Sequence, residues 1–407
     1  MPRPVEIAIT GLGAVTPYGV GWEALLDGLT RGENAITPLS VFENPLAVHP
    51  VVGQVTQPLN VDSDTGLYLS RTDRLAILAA RQAVAMAAIG ADDRAACPVV
   101  LGSTVAGLTD LVPEVVHDPA AYYRRTGTRP ASSYPVGHVA ACVAADLGCG
   151  GPRIGVNVAC SSGALALAAA ANMIAEGRAT VALAGGSDAL CAVTLAGFAS
   201  LQALDSQPCR PFSRSRSGLN VGEGAAAVVL EEWTHARARG AVILGRLAGW
   251  ASSNDALHPT APDDQGRGLA RAMRLSLEMA GVAPAAIGYV NAHGTGTPLN
   301  DVAEMRGYER VFAGRPGPVP VSSTKSYIGH TLGAAGAIEA VITLLGLRHG
   351  LLFPTLRLAE PEESPLVEFL AGAPRPTSMR AAMSVSAGFG GTNASLVFTR
   401  ADAEDES

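Results

Sequence analysis

Three short segments of this chain place reactive side chains where chemistry is easiest to perform. Cys160 lies in Asn157-Val-Ala-Cys-Ser-Ser-Gly163, between a buried-looking strand and a helical run that is apolar all round. A thiol at a helix start faces unpaired N–H groups and the positive end of the macrodipole, which favour thiolate. Its neighbours Ser161, Ser162 and Gly163 leave room for a substrate; the alternative is a small core residue at a tight turn. His293 lies in Val290-Asn-Ala-His-Gly-Thr-Gly-Thr-Pro298, at a strand end. His330 lies in Ser323-Thr-Lys-Ser-Tyr-Ile-Gly-His-Thr-Leu-Gly-Ala-Ala-Gly336, ahead of a second apolar helix. A histidine at a strand end is commonly structural, yet these are the loops on which α/β folds place their sites.

Lys325 stands five residues before His330 and is the only lysine among 29 basic side chains. A lysine supplies a compact, flexible point charge where a planar guanidinium does not fit. Glu339, on the following helix, would neutralise it, unless the two form a solvated pair. The glycine-dense run Ser386-Ala-Gly-Phe-Gly-Gly-Thr-Asn393 would turn a backbone N–H towards a ligand, or serve as a plain hairpin turn.

Other signals are exclusions. Gly11-Leu-Gly-Ala-Val-Thr16 starts like a dinucleotide fingerprint, but Thr16 stands where the third glycine belongs, and no phosphate-loop motif occurs. Nicotinamide and nucleotide chemistry are disfavoured. The six cysteines show no C-x-x-C pair and no Cys/His metal spacing, so reduced thiols and no metal site are expected. A net charge of −7 speaks against nonspecific nucleic-acid binding. The apolar run around Gly163–Ala175 is too short for a bilayer, and Val5–Thr10 reads as a strand rather than a signal peptide. A cytoplasmic location is the expectation.

The elements that must position these residues alternate. Strand-like runs fall at Ile7–Thr10, Val99–Leu101, Ile154–Val158, Val181–Ala184, Ala226–Leu230, Ile243–Gly249, Ile287–Asn291, Val319–Ser322 and Met383–Ser386, with Ala-rich helical runs such as Thr72–Ala88 and Gly268–Ala280 between them. That alternation implies an α/β protein with largely parallel pairing. One unit occurs twice: strand Ile154–Val158, a small-residue turn and apolar helix Ala164–Glu176; then strand Val319–Ser322, a turn and helix Ala334–Leu347. A helix apolar on all sides must be buried on all sides, so two such helices fit a duplicated fold with helices sandwiched between sheets. The halves divide near Glu231–Val242, giving units 1–240 and 241–400, with an acidic tail at 401–407 expected to be disordered.

Taken together, these segments resemble the elongating beta-ketoacyl-acyl-carrier-protein synthases of the thiolase superfamily. The likeness runs from Ile9-Thr-Gly-Leu-Gly-Ala-Val-Thr-Pro17 to Gly388-Phe-Gly-Gly-Thr-Asn393, through Ala159-Cys-Ser-Ser-Gly163, Asn291-Ala-His-Gly-Thr-Gly-Thr297 and Lys325 with Gly329-His330. The resemblance implies a duplicated, five-layer α-β-α-β-α fold, a dimer and no bound cofactor, with substrates carried on the phosphopantetheine of an acyl carrier protein. Cys160 would be the nucleophile, and the backbone N–H groups of Cys160 and Phe389 the oxyanion hole, with the Phe389 ring as a gate. His293 and His330 would donate to the malonyl thioester oxygen as decarboxylation charges it, and Lys325 with Glu339 would order them. Thr295 and Thr297 would hold the pantetheine arm, and Arg71, Arg74, Arg129 and Arg210 would dock the acidic carrier.

One segment, Ser217-Gly-Leu-Asn-Val-Gly-Glu-Gly224 with Pro211-Phe-Ser-Arg214, looks closer to ketosynthases of polyene-forming type II polyketide systems. Those often pair with a cysteine-lacking homologue, the chain-length factor, so a homodimer and a heterodimer both stay open. Housekeeping fatty-acid elongation and a non-catalytic chain-length-factor-like scaffold are the alternatives; Cys160 argues against the scaffold. A degradative thiolase typically uses a second cysteine near the C-terminus, and none follows Cys209. A condensing enzyme for coenzyme A starters typically has asparagine where this chain has a histidine.

Overall fold

The computed structural model describes residues 5–43, 50–63, 65–110, 118–127 and 129–401. Within them the strand order repeats. In the first half, strands Ile7–Thr16, Val99–Gly102, Arg153–Val156, Val181–Asp188 and Gly224–Glu232 lie side by side as third, second, fourth, fifth and first in chain order. In the second, Gly245–Asn254, Ile287–Asn291, Val319–Ser322, Ala381–Gly388 and Thr392–Thr399 lie in the same order, with Val367–Phe369 added beyond Val319–Ser322. The halves join where Ile7–Ile9 pairs antiparallel with Gly245–Leu247.

Most of these strands are buried from end to end, as continuous Val/Ile/Ala/Gly runs require when both faces are covered. One face takes outer helices. Arg71–Ala87, opened by a Ser70/Asp73 capping box, lies on Ile7–Thr16 and Gly224–Glu232, while Arg267–Ala280 lies on Gly245–Asn254 and Thr392–Thr399. The other face takes the two apolar helices, Ser162–Ala175 and Ala335–His349, which pack on each other at the centre. The result is the α/β, five-layer architecture expected, but the pairing is mixed rather than largely parallel, because the strands flanking the junction of the halves run antiparallel.

Some local details differ from the sequence expectation. The strand before Cys160 stops at Val156, because the chain must turn before the helix. The presumed turn Ser323–Gly333 contains a helical turn, Lys325–Ile328, and a 3₁₀ turn, Leu332–Ala334. Among the described residues the longest apolar helical stretch is Leu332–His349 rather than Gly163–Ala175; by length and composition it would cross a bilayer, but it is a buried core helix here. All six cysteines are free and buried. Of the tail, only Ala401 is among the described residues.

Candidate active site

The Cys160 position is built by a strained elbow. After Arg153–Val156 the chain reverses at Ala159, whose φ of 51° is left-handed, a conformation a non-glycine residue rarely adopts. Ser162 closes the turn: its Oγ accepts from the Val158 N–H at 2.9 Å and donates to the Ala159 carbonyl at 2.6 Å. Ser161 Oγ donates to the Thr392 carbonyl at 2.7 Å, tying the elbow to the glycine-rich hairpin of the other half. The Cys160 side chain therefore stands at the N-terminal tip of the first central helix.

Glycine brings the two central helices together. A Cβ on Gly163 would fall 2.8 Å from the Ala337 nitrogen and 2.9 Å from the Gly333 carbonyl oxygen, and one on Gly336 would fall 2.8 Å from Ala164 Cβ. That close approach sets His330 Nε2 3.0 Å from Cys160 Sγ. The His330 backbone is held by the Ser217–Gly224 run: its N–H donates to the Asn220 carbonyl at 2.7 Å, and its carbonyl accepts from Gly222 N–H at 2.8 Å. The His293 ring lies 5.2 Å from that of His330, centroid to centroid, and perpendicular to it.

Both imidazoles have a defined tautomer. The Leu332 N–H can only donate, and it meets His330 Nδ1 at 3.2 Å, so the ring hydrogen sits on Nε2. Lys325 Nζ has three acceptors for its three hydrogens: a Glu339 carboxylate oxygen, the His293 carbonyl at 2.6 Å and His293 Nδ1 at 3.2 Å. His293 is thereby also an Nε2–H donor. Burial, reinforced by the charge of Lys325, holds both rings well below the ordinary histidine range, so they stay neutral at pH 7.

The expected thiolate is not what the site favours. Burial pushes the Cys160 thiol up to about 11, outweighing Lys325 and the backbone N–H groups of Phe389 and Cys160 that pull it down. Desolvation of a buried anion here exceeds what the helix tip returns. Burial also lifts the Glu339 carboxyl to about 7, against the pull of Lys325.

Cys160, His293 and His330 sit in the wall of a cavity of about 320 Å³ that also takes in Thr295, Thr297 and Phe389. Thr295 and Thr297 share a hydroxyl–hydroxyl hydrogen bond of 2.9 Å. Phe389, 38% exposed, packs at 5.9 Å against Phe198 on a turn where Gly390 (φ 80°) and Gly391 (φ 75°) adopt left-handed backbone. Leu201 and Leu299 form an exposed apolar rim.

The ligand atoms of Cys160, His293 and His330 lie within 4.8 Å of one another, a metal-sized spacing. The Lys325 ammonium against His293 Nδ1 opposes a dication there. A second such set, Asp73, His138 and Cys142, has its imidazole Nε2 already 2.9 Å from the Tyr68 carbonyl.

Sequence reasoning missed the acids that hold these loops. Glu304 accepts from the backbone N–H of His293 and of Gly294, each at 2.7 Å, and from the Tyr308 hydroxyl at 2.5 Å. Asp301 accepts from the N–H of Gly296 at 3.1 Å and of Phe212 at 2.8 Å. Both lie in the first two turns of helix Pro298–Phe312, and acids at a helix start directly after a Gly/Thr loop were the available signal.

The four arginines expected at the docking surface differ in their surroundings. Arg71 is an internal strut: its Nε lies 2.8 Å and its Nη2 2.6 Å from the buried Glu223 carboxylate, and Nη2 also donates to the Val55 carbonyl at 2.6 Å. Arg210 is turned onto its own loop, with Nε 2.9 Å from the Ser215 carbonyl and Nη2 3.7 Å from Asp205. Arg74 is half-buried and has no ion pair among the described residues. The Arg129 side chain lies outside what is described.

Comparison with known proteins agrees over nearly the whole chain. Residues 5–236 match the beta-ketoacyl synthase N-terminal domain and 244–359 its C-terminal domain. The 3-oxoacyl-[acyl-carrier-protein] synthase 2 of Rhizobium meliloti is 37% identical over 97% of this chain and 99% of its own length. The solved ishigamide ketosynthase/chain length factor superposes with a TM-score of 0.89 at 29% identity, covering 98% of this chain and 100% of that one. A type II polyketide ketosynthase, bound to the hexaketide and in complex with its acyl-carrier protein, superposes at 0.85 with 26% identity over 98% of this chain and 100% of that one. A buried thiol facing two imidazoles, on a fold and sequence shared from end to end, makes this chain a member of the beta-ketoacyl synthase family, an acyl-transferring beta-ketoacyl-ACP synthase.

Proposed function

We propose that the chain extends an acyl group, held as a thioester on Cys160, by two carbons taken from a malonyl unit on an acyl carrier protein. The observation that carries the reading is the convergence of two Nε2–H donors beside one thiol, with His330 Nε2 at 3.0 Å from Sγ. In the first half-reaction Sγ attacks the acyl thioester carbonyl. The N–H groups of Cys160 and Phe389 hold the tetrahedral oxyanion, and the thiol proton leaves with the pantetheine sulfur, since neither imidazole offers a free acceptor towards Sγ. In the second, loss of CO₂ from the malonyl group charges its thioester oxygen. His293 and His330 stabilise that oxygen as neutral donors. The enolate carbon then attacks the acyl-Cys160 carbonyl and expels the sulfur as a thiolate, which takes one proton from water; the half-reaction consumes that proton and releases CO₂. Thr295 and Thr297 hold the pantetheine arm, and the Phe389 ring gates the cavity.

The carrier docks near Arg74 and Arg129. The chain divides functionally into 1–240, which brings the nucleophile, and 241–400, which brings the imidazoles and lysine. We place the reaction in polyene-type polyketide assembly, with a cysteine-lacking homologue as partner subunit; the Ser217–Gly224 run and the ishigamide and type II polyketide neighbours support this. The higher identity to a 3-oxoacyl-[acyl-carrier-protein] synthase favours a second reading, fatty-acid elongation by a homodimer.

The test supplies acyl- and malonyl-carrier proteins to the purified chain, alone and with a cysteine-lacking homologue encoded beside it. Intact-mass detection should find the acyl group on Cys160 and a product two carbons longer. Turnover that needs the homologue supports the first reading, turnover without it the second. Undiminished condensation by Cys160→Ala overturns both.

A further inference from the structure

Asp188 is the last residue of strand Val181–Asp188 and is fully buried. It touches none of the reacting side chains, and its neighbours all present hydrogens. It accepts from Ser103 Oγ at 2.6 Å, Thr104 Oγ1 at 2.6 Å, the Thr104 N–H at 2.9 Å, the Val105 N–H at 3.0 Å and the Gly333 N–H at 2.6 Å. The last bond reaches across the molecule, from a first-half strand end to the loop that follows His330.

That loop decides which nitrogen of His330 carries the hydrogen. Leu332 has φ 55°, a left-handed conformation uncommon for a branched apolar residue, and this aims its N–H at His330 Nδ1 at 3.2 Å. The next peptide N–H, that of Gly333, is the one Asp188 holds. Position 333 admits nothing larger, because an added Cβ would fall 2.6 Å from Asp188 Oδ2 and 2.9 Å from the Thr104 nitrogen. We propose that Asp188 is a positioning residue for the condensation: through the Gly333 N–H it fixes the Leu332 peptide, and so keeps His330 as the Nε2–H tautomer facing Cys160. The inference rests on the donor role given to His330 above.

Asparagine at 188 would set an NH₂ group against at least one N–H or O–H donor, and the Gly333 link is the one that crosses between halves. The test compares wild type, Asp188→Asn, Gly333→Ala and His330→Ala. Gly333→Ala keeps the carboxylate itself but forces residue 333 away from it, its Cβ meeting Asp188 Oδ2 and the Thr104 nitrogen, so it serves if Asp188→Asn does not fold. The first readout is the ¹⁵N spectrum of histidine-labelled protein, with His330 assigned by its absence in His330→Ala. Wild type should show a bare Nδ1 and a protonated Nε2, and both loop variants a mixed or reversed pattern. The second is malonyl-carrier decarboxylation, expected to fall ~10–100-fold in the loop variants, short of the 10²–10³ of a fully removed donor, with KM for the acyl carrier within about twofold. A wild-type tautomer pattern in the folded loop variants overturns the inference, as does an undiminished decarboxylation rate. Should His330→Ala itself decarboxylate at the wild-type rate, the donor reading fails instead, and the tautomer spectrum still judges the role of Asp188.

Discussion

Lys325 shows how strongly one position can resist a composition bias. The chain uses arginine at 28 of its 29 basic positions, yet here three acceptors surround one nitrogen within a space closed to solvent. A tetrahedral ammonium satisfies all three; a planar fork does not. Lys325→Arg should keep the charge and lose the geometry, and a displacement of about 1 Å at the His293 ring is worth ~10²-fold in rate. Malonyl decarboxylation at saturating carrier measures it, and a rate within twofold of wild type would remove the geometric argument. The neighbouring thiol has its own signature. With Cys160 raised to about 11, thiolate is the minor form at neutral pH, and its fraction grows as pH rises. Alkylation by iodoacetamide should accelerate roughly tenfold per pH unit from 7 to 10. A flat profile across that window would mean a thiolate already formed, and a catalytic role for the helix tip that burial denies.

Elements explain why the candidate cluster was legible in sequence and most of its supports were not. Cys160, His293, Lys325 and His330 each stand in a run of small residues after a strand, a pattern that local chemistry alone makes conspicuous. Glu304 left only the weak signal of an acid at a helix start, and Asp188 sits in an ordinary context; its bond to the Gly333 N–H, 145 residues away along the chain, is a relation that only folding creates. The thiolate expectation failed for the same reason. A helix start is visible in sequence, but the depth of burial around it is not. The twin apolar helices were read correctly because burial on all sides leaves no polar face to misplace. Their crossing is a close joint, with an added Cβ on Gly163 falling 2.8 Å from the Ala337 nitrogen. Gly163→Ala should cost about 1–3 kcal/mol, the usual range for overpacking. It should also slow condensation, since separating the helices draws Sγ from His330. Denaturant unfolding and turnover should fall together; a variant as stable as wild type would show that the helices are free to slide.

At the scale of the whole molecule, the problem is how an acidic protein receives an acidic partner. With a net charge of −7, attraction must come from a local patch. Two of the four arginines expected there are engaged within the fold, which leaves Arg74 as the described candidate. Arg74→Glu should raise KM for the acyl carrier about fivefold, near the ~1 kcal/mol a single surface charge pair supplies, and the difference should shrink in salt. An unchanged KM at low ionic strength would move the docking surface elsewhere. Strand Arg153–Val156 has a wider consequence. It closes one end of the sheet path with alternate residues open to solvent, and the chain passes from it directly into the elbow that carries the sulfur. A subunit that adds its own strand along that margin would grip the ribbon four residues from the nucleophile. Assembly and reactivity would then share one mechanical lever, and the identity of the companion subunit would be felt as a change in rate before any of its side chains met the substrate.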